Sequence, residues 1–163
     1  MKIYLAALLV VATLGAGCST APAVPTRPLQ APPVVQEPSG TTTLDLSGKG
    51  LTSIPADVFT RTGLERLDLS GNRLTGAPQS QIGQLENLKF LDLSNNTLTG
   101  LPAELGRLTK LETLDASNNK LTGLPMELGN LKQLRVLDVS GNNYSKQDLD
   151  QIAAKLPNTE IRR

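Results

Sequence analysis

From Thr41 onward, short stretches of alternating apolar and polar residues recur along the chain. The cores Leu44-Asp45-Leu46-Ser47, Leu67-Asp68-Leu69-Ser70, Leu91-Asp92-Leu93-Ser94, Leu114-Asp115-Ala116-Ser117 and Leu137-Asp138-Val139-Ser140 start 23, 24, 23 and 23 residues apart. Alternation of period two predicts a short strand at each core, with Leu67 and Leu69, for example, pointing inward and Arg66, Asp68 and Ser70 outward. A unit of this size cannot bury its own leucines. Stacked units place equivalent leucines above one another and close one aliphatic column. Asn72, Asn96, Asn119 and Asn142 fall where each strand gives way to a turn, where a side-chain amide can satisfy stranded backbone groups. The first core has Lys49 there, beside Gly50, which predicts a looser turn.

The returning half of each unit reads as in Leu98-Thr99-Gly100-Leu101-Pro102-Ala103-Glu104-Leu105-Gly106-Arg107-Leu108. Proline has no N–H and cannot sit in a central strand, so Pro55, Pro78, Pro102 and Pro125 mark a non-strand outer side made of short helical turns or extended segments. The extra residue of the 24-residue unit falls within Gln79-Ser80-Gln81, on that side. After Asn142 the period changes: Leu149, Ile152, Ala153 and Leu156 lie on one face of a helix, with Ser145 expected as N-cap and Asp148 at the third helical position. Thr159 to Arg163 then reads as a short edge strand. Residues 145–163 thus form a C-terminal cap that guards the last leucines. No comparable cap precedes Thr41, which leaves the first strand's outer edge open to a partner strand or to a self-pairing dimer.

Written LxxLxLxxNxL, as at Leu88, Leu91, Leu93, Asn96 and Leu98, the repeats resemble the leucine-rich-repeat family over about three quarters of the chain. Their outer halves resemble the LPxxLGxL type found in plant and Ras-associated proteins. The resemblance implies an α/β solenoid: five repeats over residues 41–144, a parallel concave sheet of about five strands, and the helical cap.

The first 40 residues follow a different pattern. Lys2 precedes an apolar run from Ile3 to Leu14, broken only by Thr13, and small residues lead to Cys18. This is the layout of a secretory signal over residues 1–17, too short for a spanning helix of about 20 apolar residues. Leu14-Gly15-Ala16-Gly17-Cys18 resembles the lipobox of bacterial lipoproteins, although Gly15 stands where leucine is usual. The resemblance implies that Cys18 is acylated and becomes the N-terminus, and Ser19 after it implies sorting to the outer membrane. The alternative is ordinary cleavage after Gly17, leaving a secreted or periplasmic protein with a free thiol. Residues 18–40 contain Pro22, Pro25, Pro28, Pro32, Pro33 and Pro38 and no apolar period. Such a stretch cannot bury enough surface to fold; as an extended tether of about 22 residues it reaches roughly 70 Å. Its PxxP matches also fit an SH3-type ligand.

Composition narrows the chemistry. The 163 residues include no His and one Cys, which excludes Cys/His zinc sites and His-based nucleophilic dyads. With 16 basic residues interspersed among 15 acidic ones, there is no field for nucleic acid. Neither a cofactor nor a metal is expected, and the chain reads as a non-catalytic membrane-anchored module of the cell envelope that binds a protein or peptide. A surface adhesin for carbohydrate or a host ligand is the alternative, against which the scarcity of aromatic platforms counts.

The candidate binding residues come from the outward positions of the strands. One column runs Thr43, Arg66, Phe90, Thr113, Val136; the next runs Asp45, Asp68, Asp92, Asp115, Asp138; a third is all serine. Phe90 beside Arg66 has the composition of an interface hot spot, though a lone exposed aromatic is also ordinary on a surface. Aspartates about 4.8 Å apart repel by about 0.9 kcal/mol per neighbouring pair even in water; a cationic partner or Ca²⁺ would relieve this, while a purely structural role is the simpler reading. Arg66, Phe90, Asp68, Asp92, Asp115, Arg135 and Val136 form the expected partner-binding set, and Glu65, Lys89 and Glu112 flank it. A face of about 400 Å² falls short of the about 800 Å² each partner gives a standard interface, which predicts moderate or weak affinity.

Overall fold

The computed structural model describes residues 42–163. The leader, Cys18 and the proline-rich stretch lie outside the described residues. Eight strands follow in chain order: β1 (Thr43–Asp45), β2 (Arg66–Asp68), β3 (Thr75–Gly76), β4 (Phe90–Asp92), β5 (Thr97–Leu98), β6 (Thr113–Asp115), β7 (Val136–Asp138) and β8 (Glu160–Arg162). Six make one parallel sheet in the order β1-β2-β4-β6-β7-β8, and β3 and β5 make a second, two-stranded one. The main sheet is in strict register, so Leu44, Leu67, Leu91, Leu114, Leu137 and Ile161 form one row. The predicted solenoid is therefore present, with a sixth strand contributed by the cap. Each coil passes the same bond to the next: Leu46 N–H to Asp68 O (2.8 Å), Leu69 to Asp92 (2.8 Å), Leu93 to Asp115 (2.7 Å) and Ala116 to Asp138 (2.8 Å).

Inside, the leucines of the middle coils are sealed: Leu67, Leu69, Leu91, Leu93, Leu114 and Leu137 are all 0% exposed. The outer side consists of four 3-10 turns, Ala56–Thr60, Ser80–Gln84, Ala103–Arg107 and Met126–Asn130. Pro55, Pro102 and Pro125 stand immediately before three of them, with φ of −58°, −73° and −69°, close to the value the proline ring imposes. In the long coil Gln79 takes that place, one residue after Pro78, and the insertion is absorbed there. The turns stack closely. A Cβ on Gly83 would lie 2.8 Å from the Glu104 carbonyl oxygen, and one on Gly106 2.6 Å from that of Glu127.

The asparagine column behaves as its position predicts. Asn96 Nδ2 donates to the carbonyls of Leu69 (3.0 Å), Leu93 (3.0 Å) and Ser94 (3.1 Å), while its Oδ1 accepts from Leu74 N–H (3.0 Å). Asn72, Asn119 and Asn142 repeat this arrangement. Each amide thus ties two successive coils together. Just before these asparagines, and before Lys49 in the first coil, Gly48, Gly71, Asn95, Asn118 and Gly141 all have left-handed φ, from 52° to 67°. Only glycine and asparagine adopt this readily, and the column contains nothing else.

At the far end, α1 (Lys146–Lys155) lays Leu149 and Ile152 over the core, with Leu156 just past its last turn, and β8 pairs with β7. Lys132 Nζ donates to the carbonyl of Lys155 at the helix end (2.8 Å) and to that of Gly129 (2.8 Å). Ser145 holds the N-cap position, with Asp148 in the first turn, but its side chain makes no capping bond. The expected cap is thus present in place only, because that first turn faces solvent, which can satisfy its amides.

Candidate binding face

The exposed face of the main sheet is built by strands too short to do more than hold two columns in line. In the first column, Thr43, Arg66, Phe90, Thr113, Val136 and Glu160 are register neighbours. Arg66 and Phe90 come together as their adjacency predicts: the guanidinium carbon lies 3.4 Å from the ring centroid. Such a cation–π contact is worth about 0.5–1 kcal/mol at an exposed site. It fixes a flat, half-apolar platform on the second and third strands. The remaining contact of Arg66 is a loose one, Nη2 to Asp68 Oδ2 at 4.0 Å.

In the second column each aspartate turns one oxygen to its own chain. Oδ1 accepts the N–H two residues on, from Ser47 (2.9 Å), Ser70 (3.0 Å), Ser94 (2.9 Å), Ser117 (2.9 Å) and Ser140 (3.0 Å). At Ser47, Ser70 and Ser140 the hydroxyl donates to the same oxygen at 2.7 Å. These turns end the strands. Burial pushes the Asp92 carboxyl above its ordinary range, with the charges of Asp115 and Asp68 adding to it against hydrogen bonds from Ser94. Asp45, at the open end, is held below the ordinary range by the Ser47 hydroxyl and N–H, then by Lys49 and Arg66. The column ends in a cation that sequence reasoning did not place on the face. Arg162 pairs in register with Asp138, and its charge is reinforced by Glu160 first and then by Asp138 and Asp115.

The serine column does not form an exposed row as expected. Ser94 is 5% and Ser117 7% exposed, because the chain folds back at this point toward the aspartate. Along the rim before the strands, charges alternate and pair across coils: Glu65 with Lys89 at 3.0 Å and Glu112 with Arg135 at 3.4 Å. Arg135 therefore stands on this rim and not in either column, and Val136 lies half-buried between Thr113 and Glu160. Among the described residues no group of acidic or cysteine side chains is arranged to hold a metal ion.

The family model described as "Leucine rich repeat" matches residues 39–98 and 62–121, and that for two copies of the repeat matches 109–154. The chain belongs to the leucine-rich-repeat family. A leucine-rich-repeat protein of Leptospira interrogans is 42% identical over 69% of this chain and 28% of its own, with a TM-score of 0.65. A chain of the BIR3–SERK2 complex from Arabidopsis thaliana is 40% identical over 63% of this chain and 56% of its own, at 0.58. The ectodomain of the Arabidopsis receptor kinase GASSHO1/SCHENGEN3, solved with CASPARIAN STRIP INTEGRITY FACTOR 2, is 37% identical over 74% of this leucine-rich-repeat chain and 15% of its own, at 0.62. This chain therefore spans 56% or less of each of these structures. A comparison with curated proteins finds no match.

Proposed function

We propose that this chain is a non-catalytic protein- or peptide-binding module, anchored through Cys18 in the bacterial cell envelope, in the outer membrane, and presenting its concave sheet to a partner. The observation that carries the reading is the Arg66–Phe90 stack, on the second and third strands of a sheet face whose other outward side chains, Val136 apart, are polar. The pair is already ordered, so binding loses little side-chain freedom there, and aromatic-plus-arginine is the composition at which binding energy concentrates. Solved relatives support it: GASSHO1/SCHENGEN3 is seen with a bound factor, and HAESA with a peptide hormone and a co-receptor. Six strands of three residues, about 4.8 Å apart and about 10 Å long, offer about 290 Å². A tight complex would need the rim pairs as well, and a membrane anchor would raise the effective concentration of a weak one.

Crosslinked capture from intact envelopes tests the face. Wild type is expected to retain one specific protein that Phe90→Ala and Arg66→Glu both lose; retention by both variants removes the concave face from the reading. Radiolabelled palmitate should enter the wild type and not Cys18→Ser, and its entry into neither would reject the anchor.

A further inference from the structure

The two ends of the main sheet are finished differently. At the β8 end, α1 covers the core, its exposed side is polar (Lys146, Gln147, Asp150, Gln151), and Glu160 and Arg162 are paired at 2.8 Å. At the β1 end, Leu44, Leu46 and Leu51 are only half-buried, whereas Leu67, Leu69 and their successors through Leu137 are sealed. The backbone is equally unfinished. Thr42 O accepts from Arg66 N–H and Leu46 N–H donates to Asp68 O, so by the alternation of a strand the N–H and C=O groups of Thr43 and Asp45 face away from β2. Among the described residues nothing pairs with them.

We propose that this edge is closed by a second copy of the chain, β1 running antiparallel to β1 about a two-fold axis at Leu44. The short edge is self-complementary in that register alone. Thr43 and the partner's Asp45 then exchange both backbone hydrogen bonds, twice over by symmetry, which satisfies all four outward groups on each copy. Leu44 faces the partner's Leu44 as the close, non-hydrogen-bonded pair. The two Asp45 carboxylates stand on a diagonal, about 7–8 Å apart. Moving the axis to Asp45 would set them directly opposite each other, where like charges repel. A head-to-tail arrangement fares worse, because the polar side of α1 would have to cover Leu46 and Leu51. The two-fold pairing instead sets one apolar end against the other and closes, so that no open fibre follows. Four ladder bonds with three half-buried leucines on each copy are a small interface beside the about 800 Å² per partner of a standard one. The dimer is therefore concentration-dependent, and it would join two concave faces into one ribbon.

Sedimentation of the full chain carrying Cys18→Ser, from about 10 μM to 1 mM, tests this against the same chain with Thr43→Pro. Proline at 43 removes an outward N–H and leaves the β1–β2 bonds in place. The reference chain is expected to pass from monomer to dimer over that range, and Thr43→Pro to remain monomeric with an unchanged circular dichroism spectrum. A reference chain monomeric throughout, or a dimer that survives the proline, overturns the proposal. Hydrogen exchange on the reference chain decides the matter if the proline variant does not fold: the Thr43 and Asp45 amides should slow at least threefold at the upper concentration. Fast exchange throughout means an open edge, and slow exchange throughout means that the preceding segment of the same chain covers it; either rejects the dimer.

Discussion

Asp45 and Asp92 hold the same place in their coils, and each accepts the serine N–H two residues on at 2.9 Å. Their carboxyls nevertheless shift in opposite directions. Among the described residues Asp45 has a strand on one side only, and it is exposed, so the hydrogen bonds from Ser47 dominate and lower it. Asp92 lies between Asp68 and Asp115 and is partly desolvated, so burial and like charge dominate and raise it. The rest of the two coils differs likewise. Leu91 is 0% exposed and Leu44 half-buried, and where Asn96 ties the third coil to the second, the first coil has the exposed Lys49. What a residue contributes in a solenoid is set by how many neighbours its coil has, more than by its own identity.

The largest effect that can break this contrast is at the asparagine column. Asn96→Ala strands Leu74 N–H in the interior and removes one of the two asparagine bonds at each of the Leu69 and Leu93 carbonyls, which keep those from Asn72 and Asn119, an expected loss of about 4 kcal/mol. Lys49→Ala should change stability by less than about 0.5 kcal/mol. Urea unfolding of the pair measures it, and equal losses would show that the amide ladder is not what joins the coils. Next, Leu91→Ala should remove about 3 kcal/mol and Leu44→Ala about 1 kcal/mol; if Leu44→Ala proved the more damaging, the open end would have to be packed in solution. Smaller again, Gly71→Ala forces a Cβ into a φ of 63° with only ordinary contact, Gly48 N at 3.8 Å, and an expected loss of about 1 kcal/mol, while Asn95→Gly at the equivalent place should be near neutral. A thermal melt in which the alanine has no effect would contradict the left-handed column.

The smallest effect is a matter of pH. Because the folded-state value of Asp92 is raised, its charge opposes folding, so stability is lost as pH rises from the ordinary 3.8 through that value. Asp92→Asn keeps an oxygen acceptor and should stabilise at pH 7, with the gain disappearing in acid. Asp45 has the opposite sign: its contribution is present above 3.8 and is lost as pH falls through its lowered value. Asp45→Asn should therefore be slightly less stable at pH 7 and converge with wild type in acid. Melting curves from pH 2 to 8 compare them, and parallel profiles for the two variants would refute the difference between coils.

How far the letters could be read follows the same physics. Strand register, the inward leucines, the asparagine column and the cap were legible because each depends on spacing alone. The two outward columns and the Arg66–Phe90 adjacency follow from that register. The 3.4 Å stack of the two side chains does not, because it depends on rotamers. The left-handed column was written plainly as Gly48, Gly71, Asn95, Asn118 and Gly141, yet its meaning emerges only when the coils are superposed. The second sheet, Thr75–Gly76 with Thr97–Leu98, has no alternation to announce it. The burial of Ser94 and Ser117 reflects a turn whose direction period two cannot predict beyond the strand's end, and Arg162 joined the face because the cap strand, with no LDLS text, keeps the parallel register of the repeats.

The bond that each coil passes to the next, from Leu46 N–H to Asp68 O onward through Ala116 to Asp138, is the same at every one of these junctions. A tandem duplication of one coil, such as residues 90–112, would meet the junctions it needs on both sides. It would lengthen the recognition ribbon by one strand, about 4.8 Å. Ordinary slippage during replication could thus change the size of target this scaffold grips in a single generation, with no new fold to invent.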